Sequence, residues 1–333
     1  MKKRIVSGIT PSGHSLHIGN YFGAVKPQIE LQNNEEFETF YFVADLHALT
    51  TVQNPSILHE NVRNVVLDYL ALGLDPEKCA FFRQSMVVGH TQLAIVLANY
   101  IGLGQMKRMH AYKDKLQKGA DSDAVNMGLF NYPILMAADI LLYKPFGVPV
   151  GEDQRQHVEL TRDIADNFNN TYGQEVFPLP EPLISKDVGK IVGTDGERKM
   201  SKSLENTIGI FEDESIIKKQ IMSCFTDPNR QKATDPGRVE GNPVFIYHDL
   251  LNQNKAEVEE LKNRYRLGQV GDVEVKEKLF VAHQQYFANA RASRAALAEM
   301  PDKVTEILRH GATRSSEVGS QTMAEVYSVI GLR

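Results

Sequence analysis

The chain has 333 residues, of which 42% are hydrophobic and 24% charged, and its net charge is −5. That composition fits a globular protein of about two domains and excludes one that coats nucleic acid through bulk positive charge. No run of ~18 apolar residues is present to span a membrane, and Cys79 and Cys224 alone cannot supply a zinc or iron–sulfur spacing or a disulfide framework. The expected setting is cytoplasmic, with no metal site built from the chain itself. Charge is unevenly spread. Ser215–Arg333 carries 17 Lys and Arg against 15 Asp and Glu, a net of +2; the rest holds 20 of the 37 basic and 27 of the 42 acidic residues, a net of −7. A slightly basic C-terminal part permits local RNA contact without demanding it.

The N-terminus MKKRIVSGITPSG starts basic, but its apolar stretch is very short, so RIVSGI (4–9) predicts a first buried strand rather than a leader peptide. Residues 7–24, SGITPSGHSLHIGNYFGA, carry the first candidate site. The strand ends at Gly8–Ile9, a turn with Pro11, Ser12 and Gly13 follows, and His17, Ile18, Gly19 and Asn20 open a helix. Gly19 lets a ligand come close to the backbone, helix-opening N–H groups attract anions, and His17 and Asn20 can hydrogen-bond phosphate or ribose. A plain strand-to-helix turn with a packing glycine would give the same string. FYFVAD (40–45) predicts the next strand, and Asp45 and His47 follow its end, where pockets are lined. ILHENVRNVVLDYLALGL (57–74) has a helical stripe at 58, 62, 65, 66, 69 and 70, with Gly73 and Pro76 as stop signals. AFFRQS (80–85) predicts a third strand and TQLAIVLANYI (91–101) a second apolar helix. Strand–helix alternation at this spacing predicts a parallel sheet, with ligands at the carboxyl ends of its strands. Lys113 in HAYKDK (110–115) reads either as a phosphate contact or as part of a solvated helix face.

NYPILMAADILLY (131–143) predicts an apolar helix with one carboxylate, Asp139. A lone buried charge is costly unless paired. In an apolar slot it suits a ligand with a single hydrogen-bond donor. VPVGEDQRQHVELTRDIADNFN (148–169) puts Gly151, Glu152, Asp153 and Gln154 at a strand-to-helix turn. Their carboxylates and amide can accept from ribose hydroxyls, although acidic first-turn residues also serve as a plain helix start. GERKMSKSLENT (196–207) holds two lysines, Lys199 and Lys202, in a glycine-flanked loop. A lysine on a flexible stem is a mobile point charge, suited to following charge that builds on a leaving phosphate; many lysine pairs are only solvated surface. Beyond residue 212 the texture becomes helical, in DESIIKKQIMSCF, AEVEELKNRYRLG, EVKEKLFVAHQQYFANARASRAALAEM and SQTMAEVYSVIGL, with an irregular Pro- and Gly-rich stretch at 226–243. The expected organisation is a Rossmann-like α/β domain at 1–212 and an all-helical domain at 213–333, whose last helices could pack back on the first. No internal repeat or low-complexity segment is present.

His17–Asn20 and Lys199–Ser203, separated by a sheet's worth of sequence, resemble the paired HIGH-type and KMSKS-type signature of class I aminoacyl-tRNA synthetases. The second motif is intact. The first departs at its last position, where Asn20 replaces histidine, as in the bacterial tryptophanyl branch; that keeps a hydrogen-bond donor and loses any charged imidazole. The 148–169 stretch and the Ala–Ala–Asp setting of Asp139 are similar to the tryptophanyl-tRNA synthetases, so the resemblance covers essentially the whole chain. It implies a catalytic role for Lys199, Lys202 and Asn20. It further implies ATP contacts from Thr10, Pro11, Ser12, His17, Gly19, Asn20, Gly151, Glu152, Asp153, Ile191, Lys199, Met200, Ser201, Lys202 and Ser203. Tryptophan contacts are implied for Asp139, Tyr132, Met136, His47 and Gln154. Mg–ATP as substrate, tRNA(Trp) as partner, an anticodon-reading helical domain and a homodimer are implied too. Three other readings stay open: a tyrosyl-tRNA synthetase, a small-molecule adenylyltransferase of the HIGH superfamily, and a non-catalytic RNA-binding descendant. The helical third speaks against the second and the intact lysine motif against the last. The chain contains no tryptophan.

Overall fold

The computed structural model describes residues 2–11, 13, 15–110, 112–113, 125–184, 191–227, 230, 232 and 234–333. Five strands are present among them: β1 (Lys3–Ile9), β2 (Phe37–Val43), β3 (Cys79–Arg83), β4 (Gly147–Pro149) and β5 (Glu181–Leu183). They form one parallel sheet in the order β3-β2-β1-β4-β5. The strand order reverses between β1 and β4, which makes the carboxyl ends of these two strands the expected ligand crevice. β2 and β3 are continuous apolar runs because both faces are covered: Phe40, Tyr41, Phe42, Val43, Ala80, Phe81 and Phe82 are all buried. The three predicted strands are present. β4 and β5, three residues each and interrupted by prolines, carry too little period-2 pattern to be read from sequence.

The helices used below are, in chain order, α1 (Ile18–Asn20), α2 (Lys26–Gln32), α3 (Asp45–Ala48), α4 (Pro55–Ala71), α5 (Gly89–Leu97), α6 (Met127–Leu141), α7 (Arg155–Tyr172), α8 (Glu214–Met222), α9 (Pro243–Leu251), α10 (Lys255–Arg266), α11 (Asp272–Ala298) and α12 (Pro301–Val329). α4 starts on an Asn54 cap with Pro55 in its first turn, and it stops ahead of Gly73, whose φ of +110° suits glycine. The described residues include no helix long and apolar enough to cross a membrane.

The chain divides into two compact units, and the division is not at residues 212–213. One unit takes 1–14, 27–186 and 300–333, so it contains the sheet and α12. The other takes 15–26 and 187–299, so it contains α1, the lysine loop and α8 to α11. α12 belongs with the sheet because it packs on the backbone of edge strand β3. A Cβ on Gly311 would lie 2.0 Å from the Phe81 carbonyl oxygen, and the Arg314 guanidinium donates to the Cys79 carbonyl at 3.2 Å. Ala312, Met323 and Val326 complete the sheet unit's apolar core.

Candidate active site

In the helical unit, α1 is capped reciprocally. The Asn20 N–H donates to His17 Nδ1 at 3.3 Å, and the His17 N–H donates to Asn20 Oδ1 at 3.2 Å. The cap needs Nδ1 as an acceptor, so the ring proton sits on Nε2. Burial, and next the charges of Lys202 and Lys199, lower the His17 pKa to about 4. His17 is therefore a neutral donor at neutral pH. Gly19 has no room for a side chain: a Cβ there would lie 2.9 Å from His17 Nδ1 and 3.2 Å from Met200 Cβ. Leu16–Ile18 pairs with Ile208–Ile210, through Ile18 N–H to the Ile208 carbonyl at 3.0 Å and Ile210 N–H to the Leu16 carbonyl at 3.2 Å. The two motifs far apart in sequence are thus neighbours within one unit.

The lysine segment is a hairpin. Val192 and Lys199 form an antiparallel bridge, Met200 N–H donates to the Ile191 carbonyl at 2.9 Å, and Gly193 N–H donates to the Arg198 carbonyl at 2.7 Å. Gly196, with φ +80°, makes the tip. Ile191 and Met200 are buried, whereas Lys199, Lys202 and Ser203 are exposed and Ser201 is half-buried. The Ser201 and Ser203 hydroxyls lie 3.0 Å apart. Asp195 accepts from the Glu197 and Arg198 N–H groups at 3.1 and 3.0 Å. Burial pushes its carboxyl up, but those hydrogen bonds and the ones from Asn206 and the Arg198 guanidinium outweigh it, to about 2.

In the sheet unit, Thr10 is exposed just past β1, Pro11 is buried, and Ser12 lies outside the described residues. Past β4, Gly151 leads into a short 3-10 turn, Glu152–Gln154, that feeds α7. A Cβ on Gly151 would meet Asp153 Oδ1 at 2.5 Å. Glu152 is engaged by the Arg155 guanidinium at 2.7 Å, and Gln154 Nε2 donates to Asp153 Oδ2 at 3.3 Å. Thr10 and the Gly151 turn both stand at the carboxyl ends of the strands where the sheet order reverses.

Asp139, on α6, is 2% exposed. His90 Nδ1 lies 2.6 Å from Oδ1, His47 Nε2 lies 2.8 Å from Oδ2, and Gln84 Nε2 is 2.8 Å from each oxygen. Burial raises the carboxyl pKa, but the charge of His90 and the hydrogen bonds of His47 and His90 outweigh it and the net direction is down. A carboxylate only accepts, so His90 Nδ1 and His47 Nε2 carry protons, and the Tyr143 hydroxyl lies 2.9 Å from His90 Nε2. Gln84 Oε1 accepts from the Leu46 and His47 N–H groups at 3.2 and 3.4 Å, tying α3 to Asp139. A cavity of about 310 Å³ is lined by His47, Thr50, Gln53, Asn126 and Tyr132, with Leu46, Leu49 and Leu135 among its apolar walls. Asp139, the half-buried Met136 and Gln154 do not line it. The Tyr132 hydroxyl is bonded to His157 Nε2, and burial first, then the charge of His110, lowers the His157 pKa to about 4. Asp45 instead turns to Ser85, whose N–H it accepts at 2.9 Å, and Lys113 is exposed. Gln84 and His90 are site residues that sequence reasoning missed. Their only signals were a polar residue ending an apolar strand and a histidine beside Gly89.

The family model described as tRNA synthetases class I (W and Y) matches residues 1–288. The chain is 43% identical over 332 residues to the tryptophan–tRNA ligase of Treponema pallidum, covering 99% of this chain and 97% of the relative. It is 45% identical over 331 residues to that of Rhodopirellula baltica, covering 99% and 100%. Among solved structures, the tryptophanyl-tRNA synthetase of Campylobacter jejuni complexed with ADP and tryptophan superposes with a TM-score of 0.90 at 42% identity, over 99% of this chain and 100% of that one. With matches of this length on both measures, the chain belongs to the class I tRNA synthetases of the tryptophan and tyrosine group, in the bacterial tryptophanyl branch.

Proposed function

We infer that the protein is a tryptophan–tRNA ligase. A carboxylate oxygen of tryptophan attacks the α-phosphorus of Mg–ATP in line. A new O–P bond forms as the bond to the bridging oxygen breaks, and pyrophosphate leaves. A terminal ribose hydroxyl of tRNA(Trp) then takes the aminoacyl group and AMP departs. Such chemistry asks for positioning and charge stabilisation rather than covalent catalysis. Lys199 and Lys202 take the charge that builds on pyrophosphate. Neutral His17 donates from Nε2 to phosphate, and Gly19 and Asn20 shape the turn beside it. Thr10 and Pro11, just past the central strand, are assigned to the nucleotide, as is Ser12 by its sequence position, and Ile191, Met200, Ser201 and Ser203 back the lysines. Gly151, Glu152 and Asp153 hold ribose. Magnesium arrives on the triphosphate, with phosphate oxygens and water as its ligands.

For the amino acid, Asp139 is the acceptor we assign to the indole N–H. His47, which lines the cavity and is bonded to Oδ2, is the group that gives up that oxygen. Tyr132, Met136 and Gln154 complete the pocket on this reading. The helices between residues 214 and 298 read the anticodon, the active form is a homodimer, and the enzyme works in the cytoplasm, where its tRNA is.

The observation that carries the reading is the hairpin that exposes Lys199 and Lys202 while burying Ile191 and Met200. The test is ATP–pyrophosphate exchange with each amino acid in turn. Exchange driven by tryptophan is expected; exchange driven by tyrosine instead, or none, overturns the assignment. Lys199→Ala and Lys202→Ala should each slow single-turnover adenylate formation by about 10²-fold or more while tryptophan affinity holds, because the lost cations act mainly in the transition state. Equal losses of affinity and rate would give the loop another job. Light scattering tests the dimer.

A further inference from the structure

The lysine hairpin is closed from inside by one side chain. Asn206 is 3% exposed. Its Oδ1 accepts the Ser201 N–H at 2.8 Å, and its Nδ2 donates to Asp195 Oδ2 at 2.9 Å and to the Lys199 carbonyl at 3.3 Å. Its own carbonyl accepts the Thr194 N–H at 2.9 Å. Both amide protons and the amide oxygen are therefore committed, and the carboxylate of Asp195 fixes which way the amide faces. Gly193 exists as glycine to admit it, since a Cβ at 193 would lie 2.0 Å from Asn206 Nδ2. Asn206 thus grips the backbone on both sides of Met200, at Lys199 and at Ser201, and reaches across to the opposite arm at Asp195.

We propose that Asn206 is the positioning residue for the cationic loop: it sets where Lys199 and Lys202 stand in adenylate formation without touching substrate. This rests on the ligase reading above. A shift of about 1 Å in a group that must meet a transition state costs on the order of 10²-fold. Losing Asn206 leaves the backbone bridge between the arms but removes the side-chain ties at Lys199, Ser201 and Asp195, which loosens the stretch that carries the lysines enough for a shift of that kind.

Four proteins decide it: the parent, Asn206→Ala, Lys199→Ala and the double variant. Single-turnover adenylate formation and tryptophan affinity are measured on each. Asn206→Ala is expected to slow adenylate formation by about 10²-fold, with tryptophan affinity within about 2-fold of the parent. Added to Lys199→Ala it should cost clearly less than it costs in the parent, by about 10-fold or more, since part of its effect runs through a lysine already gone and only the placement of Lys202 is left to lose. Full additivity, a parent-like rate, or a matching loss of tryptophan affinity overturns the proposal. Asn206→Asp keeps the shape and the acceptor, loses both donors and faces Asp195; it should be as slow. Asp195→Asn added to it restores a donor across the gap and should recover about 10-fold; no recovery overturns the proposal even where Asn206→Ala does not fold. A parent without tryptophan-dependent exchange sinks the ligase reading and this inference together. A parent that exchanges normally with an additive cycle sinks the inference alone.

Discussion

An ionised carboxylate taken almost wholly out of water is stable only when its lone pairs are filled, and Asp139 fills them with His90, His47 and Gln84. The sequence showed the cost, a single charge in an apolar helix, but not the partners, which come from β3's end, α3 and α5 and have no fixed spacing to position 139. A pocket that reads a ring N–H through such an acceptor rejects a ring without one by ~10⁴–10⁵. Asp139→Ala should therefore lower kcat/KM for tryptophan by several kcal/mol, about the worth of a charged hydrogen bond plus the partners left unpaired, and lower it far less for phenylalanine. The tryptophan-to-phenylalanine ratio of kcat/KM is the measurement; a ratio that does not move would make another group the reader, with His47 next. A second residue-scale effect concerns pH. The folded pKa of His17 is about 4 against 6.5 in the unfolded chain. Between those values the unfolded state binds a proton that the folded state refuses, so stability present above pH ~6.5 is lost as pH falls toward ~4, by up to about 3 kcal/mol. Denaturant melts of the parent and His17→Asn should differ in slope across that window and run parallel above it. Parallel lines throughout would mean that His17 is protonated as easily folded as unfolded.

At the scale of elements, legibility followed composition. β1 to β3 were readable because buried parallel strands are apolar runs, and α4 because its stripe, cap and stop signals agree. α12 was legible only in its last third. Its first part, PDKVTEILRHGATRSSEVGS, contains Gly311, Gly319, threonines and serines, which lower helix propensity. The structure shows what the glycines are for. Gly311 lets the helix touch the β3 backbone, and Gly319 sits where a Cβ would be 3.2 Å from the Leu142 side chain. The local rule is broken for a tertiary contact, which no window of sequence can display. The two sites should answer differently to alanine. At 311 the obstacle is backbone, with Phe81 O, C and N at 2.0, 2.6 and 2.7 Å, so the helix must move off the strand. Gly311→Ala should cost about 1–3 kcal/mol or more, against a gain of up to about 1 kcal/mol in helix propensity. At 319 the neighbour is a side-chain tip that can yield, and Gly319→Ala should be near neutral. Urea melts of the two variants check this; equal effects would show that α12 is free to slide.

At the scale of the whole molecule, the sequence read correctly as a parallel sheet followed by helices, but order along the chain is not order in space. Residues 15–26 leave the sheet unit and 300–333 return to it, because Leu16–Ile18 pairs with Ile208–Ile210 and α12 packs on β3. Hydrophobic patterning says which face of a helix is buried and is silent on what buries it. The consequence is experimental. Removing the C-terminal helices looks like a way to take tRNA binding from amino-acid activation, yet any such cut removes α12. That helix supplies Ala312, Met323 and Val326 to the core, covers edge strand β3, and ties down Lys144 through Glu325 at 2.5 Å. Burying such side chains is worth about 1.5–3 kcal/mol each for the larger ones, and an uncovered strand edge invites association. Against a typical net stability of about 5–15 kcal/mol, a chain ending at Met300 should lose the sheet unit as a folded body. Tryptophan binding, which we assign to Asp139, His47 and α6 in that unit, should go with it, although no contact proposed for tryptophan or ATP lies beyond residue 203. Because the chain has no tryptophan of its own, fluorescence of the added amino acid reports binding without protein background. The shortened chain is expected to show no saturable binding and to aggregate as it is concentrated. A 1–300 chain that melts cooperatively and binds tryptophan within a few-fold of the parent would show that the sheet stands without α12. The C-terminal cut would then be a clean way to separate charging from activation after all.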